Sequence, residues 1–238
     1  MRLDLIDRAA SDLAVLLAMG LPEKRSLELV SDRYGLTRRE RVALSKIVRS
    51  PSRSLRNALK KVPPSAARGR EVRVDGFNVL ITIEALLTGE PVYLCSDGFL
   101  RDLRLAYSSY STTEETREAV SLLAEALRSI SPSSVLVVFD EPTSFSGELA
   151  AATRRTLSEF GIPGTAVTSR RVDSEVAAGE VSASSDEAVI LKARAVVDVP
   201  ELVAVRLGVE PRQPPFLRIV KTSPRADPHA QSSEDGQI

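Results

Sequence analysis

The chain has 238 residues, with 32 Lys and Arg against 32 Asp and Glu, and 43% of its residues are hydrophobic. This length can form one sizeable α/β domain and a small additional one, while a single cysteine, Cys95, excludes an internal disulfide. Its apolar runs are shorter than the ~20 residues that span a bilayer, and its acidic start is unlike a signal peptide, so we expect a cytoplasmic protein without membrane contact.

Residues 1–62 are predicted to form a small basic helical domain. Apolar residues recur at helical spacing between residues 4 and 19, and Gly20 and Pro22 separate this helix from the next. Thr37 followed by Glu40 has the pattern of a capping box at the start of a third helix. The prolines and the glycine within residues 63–70 then predict a linker.

The zero net charge conceals a basic first part of the chain. Residues 1–74 hold 17 Lys and Arg against 8 Asp and Glu, so the remaining residues hold 15 against 24. Such an excess of cations is typical of a surface that binds nucleic acid, and a solvated helical face is the alternative. The candidate contacts with nucleic acid are Arg38, Arg39, Arg53, Arg56, Lys60 and Lys61.

From Glu71 onward the pattern changes to strands that alternate with helices. The segment "SVLVVF" indicates a buried strand, and residues 114–130 have the spacing of an amphipathic helix. Alternation of this kind predicts an α/β domain over residues 71–210, with a mostly parallel sheet flanked by helices. Residues 211–238 lose this periodicity and are predicted to be a C-terminal extension with a disordered end.

The stretch "VLVVFDEPTS", residues 135–144, is similar to the strand end at which transport ATPases hold Mg²⁺ and a catalytic glutamate. An ATPase also needs the phosphate-binding loop G-x-x-x-x-G-K-[ST], but no Gly-Lys pair occurs in the sequence. The three glycines of a dinucleotide site are missing as well. With one histidine, His229, and one cysteine, neither a His/Cys zinc site nor a histidine-based triad can be assembled.

Four aspartates lie where predicted strands end or where the adjoining helices begin, namely Asp75, Asp140, Asp173 and Asp186. The carboxyl ends of parallel strands share one edge of a sheet, so these side chains could line one pocket. Crowded carboxylates remain ionised only beside a compensating cation, and an all-oxygen cluster suits Mg²⁺ or Mn²⁺. Each aspartate could alternatively be a helix cap or a turn residue.

The sequence around these aspartates resembles that of PIN-like nucleases of the NYN branch. "VDGFNVLI" is similar to their first strand end, D-G-[YF]-N, and "VLVVFD" is similar to their second acidic strand end. "VTSRRVDSEVA" resembles their T-x-x-x-x-A-D-x-x-I segment, with mild departures at Val172 and Val176, and "VSASSDEAVI" resembles their V-x-T-S-D strand end. The whole chain also resembles an uncharacterised, largely archaeal family that joins a small helical domain to a PIN-like domain.

The resemblance implies a nuclease that depends on Mg²⁺ or Mn²⁺, and RNA is the substrate that we favour over DNA. It assigns catalysis and metal binding to the four aspartates, and it gives Asn78 the role of positioning a phosphate or a water molecule. The alternatives are a catalytically silent PIN-like module that binds nucleic acid and a protein-interaction module with a protein partner or a second copy of the chain.

A further stretch, "SDGFLRDLRLAYSSY", is similar to an insert that this family carries. Its arginines, Arg101 and Arg104, could contact phosphates while Tyr107 or Tyr110 stacks on a base. The alternative is a loop closed by local Asp–Arg pairs, and the sequence does not decide between the two.

Overall fold

A computed structural model of the chain describes residues 1–104 and 113–217. Its first 62 residues, here called the helical region, contain four helices: α1 (Leu3–Ala18), α2 (Glu23–Arg33), α3 (Arg38–Ile47) and α4 (Pro51–Ala58). Thr37 caps α3, because its hydroxyl accepts from the Glu40 backbone while the Glu40 side chain accepts from the Thr37 backbone at 3.0 Å. The predicted capping box is therefore confirmed. The predicted linker contains a short 3₁₀ turn, Pro64–Ala67.

The following residues, 71–210, are here called the sheet region. Four parallel strands in the order β5-β4-β1-β6 form its main sheet: β1 (Glu71–Asp75), β4 (Ser134–Asp140), β5 (Gly164–Ser169) and β6 (Val181–Ala183). Two short antiparallel strands form a separate ribbon, β2 (Val92–Leu94) and β3 (Leu100–Asp102). The helices of this region are α5 (Gly76–Leu87), α6 (Glu114–Ile130), α7 (Ser146–Glu159), α8 (Val172–Ala177), α9 (Glu187–Lys192) and α10 (Val199–Leu207). The predicted α/β class, with a parallel sheet flanked by helices after a helical region, is confirmed.

The strand register brings the candidate residues to one edge of the sheet. Asp75, the last residue of β1, is opposite Val138 of β4, so Asp140 lies two residues further along the neighbouring strand. The residues after β6 turn into α9 at the same edge, because β6 pairs in parallel with β1. Before α10 begins, Val196 forms isolated bridges with Lys61 and with Ser182 rather than a regular strand.

The helical region and the sheet region share buried contacts. Ile6, Leu13 and Leu44 of the helices belong to the same buried apolar cluster as Tyr93 and Cys95 at the β2–β3 ribbon. Because these side chains are packed together, the helical region is fixed against the ribbon. Within the described residues, no helix is long and apolar enough to cross a membrane.

Close packing at the start of α5 gives a test of the fold. A Cβ atom at Gly76 would overlap the ring of Phe139, a buried residue of β4. The Phe139 ring also packs edge-on against the Phe77 ring, with 5.2 Å between the ring centroids. Gly76→Ala is therefore expected to lower the free energy of unfolding by about 1–3 kcal/mol, the usual effect of overpacking. The measurement is urea unfolding followed by circular dichroism.

Gly147→Ala is the matched control, because the same Cβ atom at Gly147 of α7 meets nothing within 4 Å. We expect its stability to lie within about 1 kcal/mol of that of the unmodified protein. Equal stability of the two variants would contradict the close approach of α5 to β4.

Candidate active site

A pocket of about 510 Å³ opens at the carboxyl edge of the sheet. All four predicted aspartates, Asp75, Asp140, Asp173 and Asp186, line it. They come from the ends of β1 and β4, from the first turn of α8 and from the position before α9. The parallel strand order thus brings together side chains that are up to 111 residues apart in sequence.

Asp75 is the buried member of this group, with 8% of its surface exposed. Its carboxylate caps α5 by accepting from the Asn78 backbone at 3.4 Å, and it accepts from the Ser184 hydroxyl at 2.9 Å. The pKa of Asp75 is raised to about 7, mainly by burial and also by the negative charges of Asp186 and Asp173, which together outweigh the lowering effect of these two hydrogen bonds. A cation in the pocket would remove this electrostatic cost.

The other three aspartates are more accessible. Asp186 is exposed and accepts from the Ala188 backbone at 2.7 Å, so it caps α9 and lines the pocket at once. Asp140 is exposed and accepts from the Thr143 hydroxyl at 3.4 Å. Asp173 is half-buried within the first turn of α8, where Arg171 rather than an acid is in the capping position. The helix-cap alternative therefore describes Asp75 and Asp186 correctly, but capping does not keep either of them out of the pocket.

The donor atoms of the pocket suit a hard cation. Carboxylate oxygens are the ligands preferred by Mg²⁺ and Mn²⁺, and Mg²⁺ keeps several waters while binding through one or two carboxylates. Among residues 1–104 and 113–217, no three His, Cys, Asp or Glu side chains lie close enough together to enclose a metal ion. The described residues therefore form no closed cage of protein ligands, and an ion in this pocket would have at most two direct carboxylate ligands.

Asn78 connects β1 to the end of β6. Its Oδ1 accepts from the Ser185 backbone at 2.8 Å and from the Ser185 hydroxyl at 3.2 Å. Since a backbone N–H can donate only to the oxygen of the amide, this bond orients the Asn78 NH₂ group away from Ser185. Asn78 also lines the pocket, where this NH₂ group can donate to a phosphate oxygen.

Sequence reasoning missed several polar residues of this site. Ser184 and Ser185 hold Asp75 and Asn78, and the signal for them was the serine pair directly after the buried strand "VSA". Three cations at the rim were missed as well, namely Arg170, Arg171 and Lys192. Arg170 pairs with Glu141 at 3.0 Å. In the part of the chain that the structure describes, the Arg171 and Lys192 side chains have no ion pair or hydrogen bond, so both are available to an anion.

The cations predicted to contact nucleic acid fall into two groups. Arg38, Arg39 and Arg56 are exposed to solvent on α3 and α4. Arg53 instead donates to Glu187 at 2.8 Å and also pairs with Glu23, while Lys60 donates to the Ala193 carbonyl oxygen at 2.7 Å. The second group therefore joins the helical region to the sheet region.

Lys61, Arg101 and Arg104 also have protein partners. Lys61 pairs with Asp198 at 3.1 Å and with Glu201 at 2.9 Å. Arg101 is buried and forms a bidentate salt bridge with Asp97, in which each of the two hydrogen bonds is 2.7 Å long.

Arg104 pairs with Glu84 at 3.0 Å and with Glu90 at 2.6 Å. Within the insert, the Arg101–Asp97 pair is the local Asp–Arg pairing that the sequence left open, whereas Arg104 pairs with acids outside the insert. Tyr107 and Tyr110 lie outside the described residues.

Comparison with known proteins places the chain in a family. Residues 64–202 match the family described as "Domain of unknown function (DUF5616)", and residues 5–61 match "Protein of unknown function (DUF434)". The chain belongs to the first of these families, whose match covers more than half of its length. It is also 32% identical over 201 residues to "Uncharacterized protein MJ0935" of the archaeon Methanocaldococcus jannaschii, a match that covers 84% of this chain and 95% of that relative. No solved structure matches the chain.

The raised pKa of Asp75 predicts a pH-dependent stability. Between the ordinary value of 3.8 and the folded value of about 7, the folded protein keeps a proton that the unfolded chain releases. The free energy of unfolding is therefore expected to fall as pH rises from about 4 to 7, by up to about 1.4 kcal/mol per pH unit from this group. Urea unfolding at several pH values in the presence of a chelator measures this slope.

The same pH series is measured on the Asp75→Asn variant for comparison, since asparagine also caps helices and cannot titrate. The stability advantage of the unmodified protein over the variant is expected to shrink as pH rises through this range. Parallel pH profiles of the two proteins would show that the Asp75 carboxyl has an ordinary pKa.

Proposed function

We propose that the protein is a nuclease of the PIN-like type that hydrolyses phosphodiester bonds with the help of Mg²⁺ or Mn²⁺. The observation that carries this proposal is the meeting of four aspartates in one pocket around the buried carboxylate of Asp75. A buried carboxylate with other acids beside it destabilises the protein unless a cation compensates the charges.

A divalent ion bound at Asp75 and the aspartates beside it would neutralise charge that develops on a scissile phosphate. The protein's own side chains supply binding and orientation. Asn78, which lines the pocket, would donate from its NH₂ group to a phosphate oxygen, and Arg171 and Lys192 at the rim offer cations to the phosphates on either side of the cleaved bond. Ser184 and Ser185 fix Asp75 and Asn78 relative to each other, so that the site is preorganised before substrate binds.

RNA is the substrate that we favour, because the exposed cations of the helical region suit a polynucleotide. Arg38, Arg39 and Arg56 lie on α3 and α4, and α4 packs against α9, the helix that begins after Asp186. Phosphate contacts of this kind give affinity without sequence preference.

A catalytically silent module that binds nucleic acid is the second candidate. The observation in its favour is that no three of the described acidic, histidine or cysteine side chains are close enough to enclose a metal ion. In this case the rim cations and Asn78 would bind a phosphate group without cleaving it, and Asp75, with its pKa raised to about 7, would be only partly ionised at neutral pH.

The two candidates are separated by substitutions of the aspartates. Asp75→Asn and Asp186→Asn keep the helix-capping oxygen but remove the charge. Each is expected to lower Mn²⁺-dependent cleavage of single-stranded RNA by at least about a hundredfold, the scale of losing one electrostatic element of an active site. Cleavage is measured by gel electrophoresis, and melting temperature confirms that each variant is folded.

Asp32→Asn is the matched control, because Asp32 is a surface acid of α2 that pairs with Arg41 at 3.3 Å and does not line the pocket. It is expected to cleave as the unmodified protein does. Full activity of both pocket variants would refute the assignment of the site, and RNA binding without any cleavage by the unmodified protein would favour the silent module.

The basic surface makes a separate prediction about salt. Replacing Arg38, Arg39 and Arg56 together by alanine is expected to weaken RNA binding and to reduce the slope of log K against log salt by about 0.7 for each lost phosphate contact. Fluorescence anisotropy with a labelled oligonucleotide at several salt concentrations measures both quantities.

The control replaces three exposed cations of the sheet region, Arg117, Arg155 and Arg206. It is expected to bind as the unmodified protein does. An affinity that does not change with salt would contradict phosphate binding and would favour a protein partner for the helical region.

A further inference from the structure

A second cleft, of about 390 Å³, lies between the helical region and the sheet region. Val42, Lys46 and Arg49 line it from the helical region, and Arg101 and Asp102 line it from β3. Asn78 and Asp186 line both this cleft and the acidic pocket, so the two cavities adjoin each other. The cleft therefore leads from the surface of α3 to the candidate active site.

Three cations lie close to one another in this cleft. The Arg49 side chain is 10% exposed, and its Nη1 donates to Glu187 at 2.7 Å. Burial lowers the pKa of Arg49, and the positive charge of Arg101 lowers it further. Lys46 adds a third cation, with its Nζ bound to the Arg104 carbonyl oxygen at 2.7 Å. An anion entering the cleft would relieve the repulsion among these cations.

Three acids line the same cleft, and each already has a partner. Asp102 accepts from the Thr82 hydroxyl and from the Arg104 backbone, at 3.1 and 2.8 Å. Glu187 accepts from Arg49 and Arg53, and Asp186 caps α9. Arg49 is likewise paired, with Glu187 and, at 3.3 Å, with Asp97. Lys46, whose Nζ is held by the Arg104 carbonyl oxygen, is therefore the cation of the cleft most available to a phosphate group.

The cleft continues outward along α3. Arg39, Val42 and Lys46 are spaced three and four residues apart, so they lie on one face of this helix. The pKa of Glu90 is lowered mainly by the hydrogen bond that Glu90 accepts from Arg104. The exposed Arg39 is close enough to Glu90 to add a smaller lowering effect. Arg39 and Lys46 are thus one helical turn on either side of Val42, along a path that ends at Asn78.

We infer that the cleft between α3 and β3 is a subsite for single-stranded nucleic acid, occupied by the nucleotide next to the one whose phosphate lies among the aspartates. This inference rests on the proposed function. Cavities of 390 and 510 Å³ are the size of single small-ligand sites, which favours one nucleotide of a single strand in each of them. Lys46 contacts the phosphate of that neighbouring nucleotide, and Val42 contacts its sugar or base.

The test compares a substrate that needs the cleft with one that does not. The long substrate is a single-stranded oligoribonucleotide, and the short one is bis(p-nitrophenyl) phosphate, which can occupy the acidic pocket alone. Val42→Phe fills the cleft without changing charge, and Lys46→Gln removes a charge while keeping a donor for the main-chain carbonyls. For each variant, the ratio of kcat/KM on the oligonucleotide to kcat/KM on the short diester is expected to fall by about tenfold, as when one or two binding contacts are lost.

Val15→Phe is the matched control, because Val15 is 59% exposed on α1 and lines neither cavity. Its ratio is expected to equal that of the unmodified protein. An unchanged ratio in folded Val42→Phe and Lys46→Gln would overturn the subsite and leave the proposed function intact. If the unmodified protein hydrolyses neither substrate, the proposed function fails and the subsite with it.

Two further substrates test which nucleic acid occupies the subsite. The same oligonucleotide paired with its complement is expected to be cleaved at least about tenfold more slowly, and equal rates would overturn the single-strand requirement. A deoxyribonucleotide strand of the same sequence shows whether the subsite distinguishes RNA from DNA. If Val42→Phe lowers the kcat/KM ratio for neither the RNA strand nor the DNA strand, the subsite is again overturned.

Discussion

The buried carboxylate of Asp75 is the constraint on which the rest of the site depends. Its position at the end of a central parallel strand removes it from water, and other acids stand beside it. Ser184 and the Asn78 backbone offset part of the resulting cost, but the pKa of Asp75 is still raised to about 7. A site of this kind lowers its own free energy by binding either a proton or a metal cation, which is why we connect the pocket with divalent metal chemistry.

A second electrostatic arrangement connects the helical region to this site. Arg49 and Arg53 on one side hold Glu187, the residue after Asp186, while the buried Arg101–Asp97 pair lies beside them and Arg101 donates to the Ser185 carbonyl oxygen at 2.9 Å. Buried charges of this type are tolerated only when paired, so the cations of the interface cannot all be offered to a ligand. The helical region therefore has two roles in this account, since it holds the backbone around Asp186 and it forms one wall of the second cleft.

Much of the sheet region could be predicted because local patterns determine it. Alternating strands and helices predicted the parallel sheet, and the general rule that parallel strands end at one edge brought Asp75, Asp140 and Asp186 together. Partners distant in sequence could not be predicted in this way. Arg53 was a candidate contact with nucleic acid, yet its partner Glu187, 134 residues away in sequence, is fixed by tertiary packing that no charge count reveals. The helix-cap alternative does not describe Asp173, because Arg171 is in the capping position and Asp173 lies within the first turn of α8.

The most direct test of the central claim is anomalous X-ray diffraction from crystals of the protein soaked with Mn²⁺. Our account predicts an anomalous peak in the pocket at the carboxyl edge of the sheet, within bonding distance of Asp75 or Asp186, that disappears in Asp75→Asn crystals soaked in the same way. A pocket without such a peak at saturating Mn²⁺, or a peak bound only by residues elsewhere, would contradict the claim that the aspartates form a divalent-cation site.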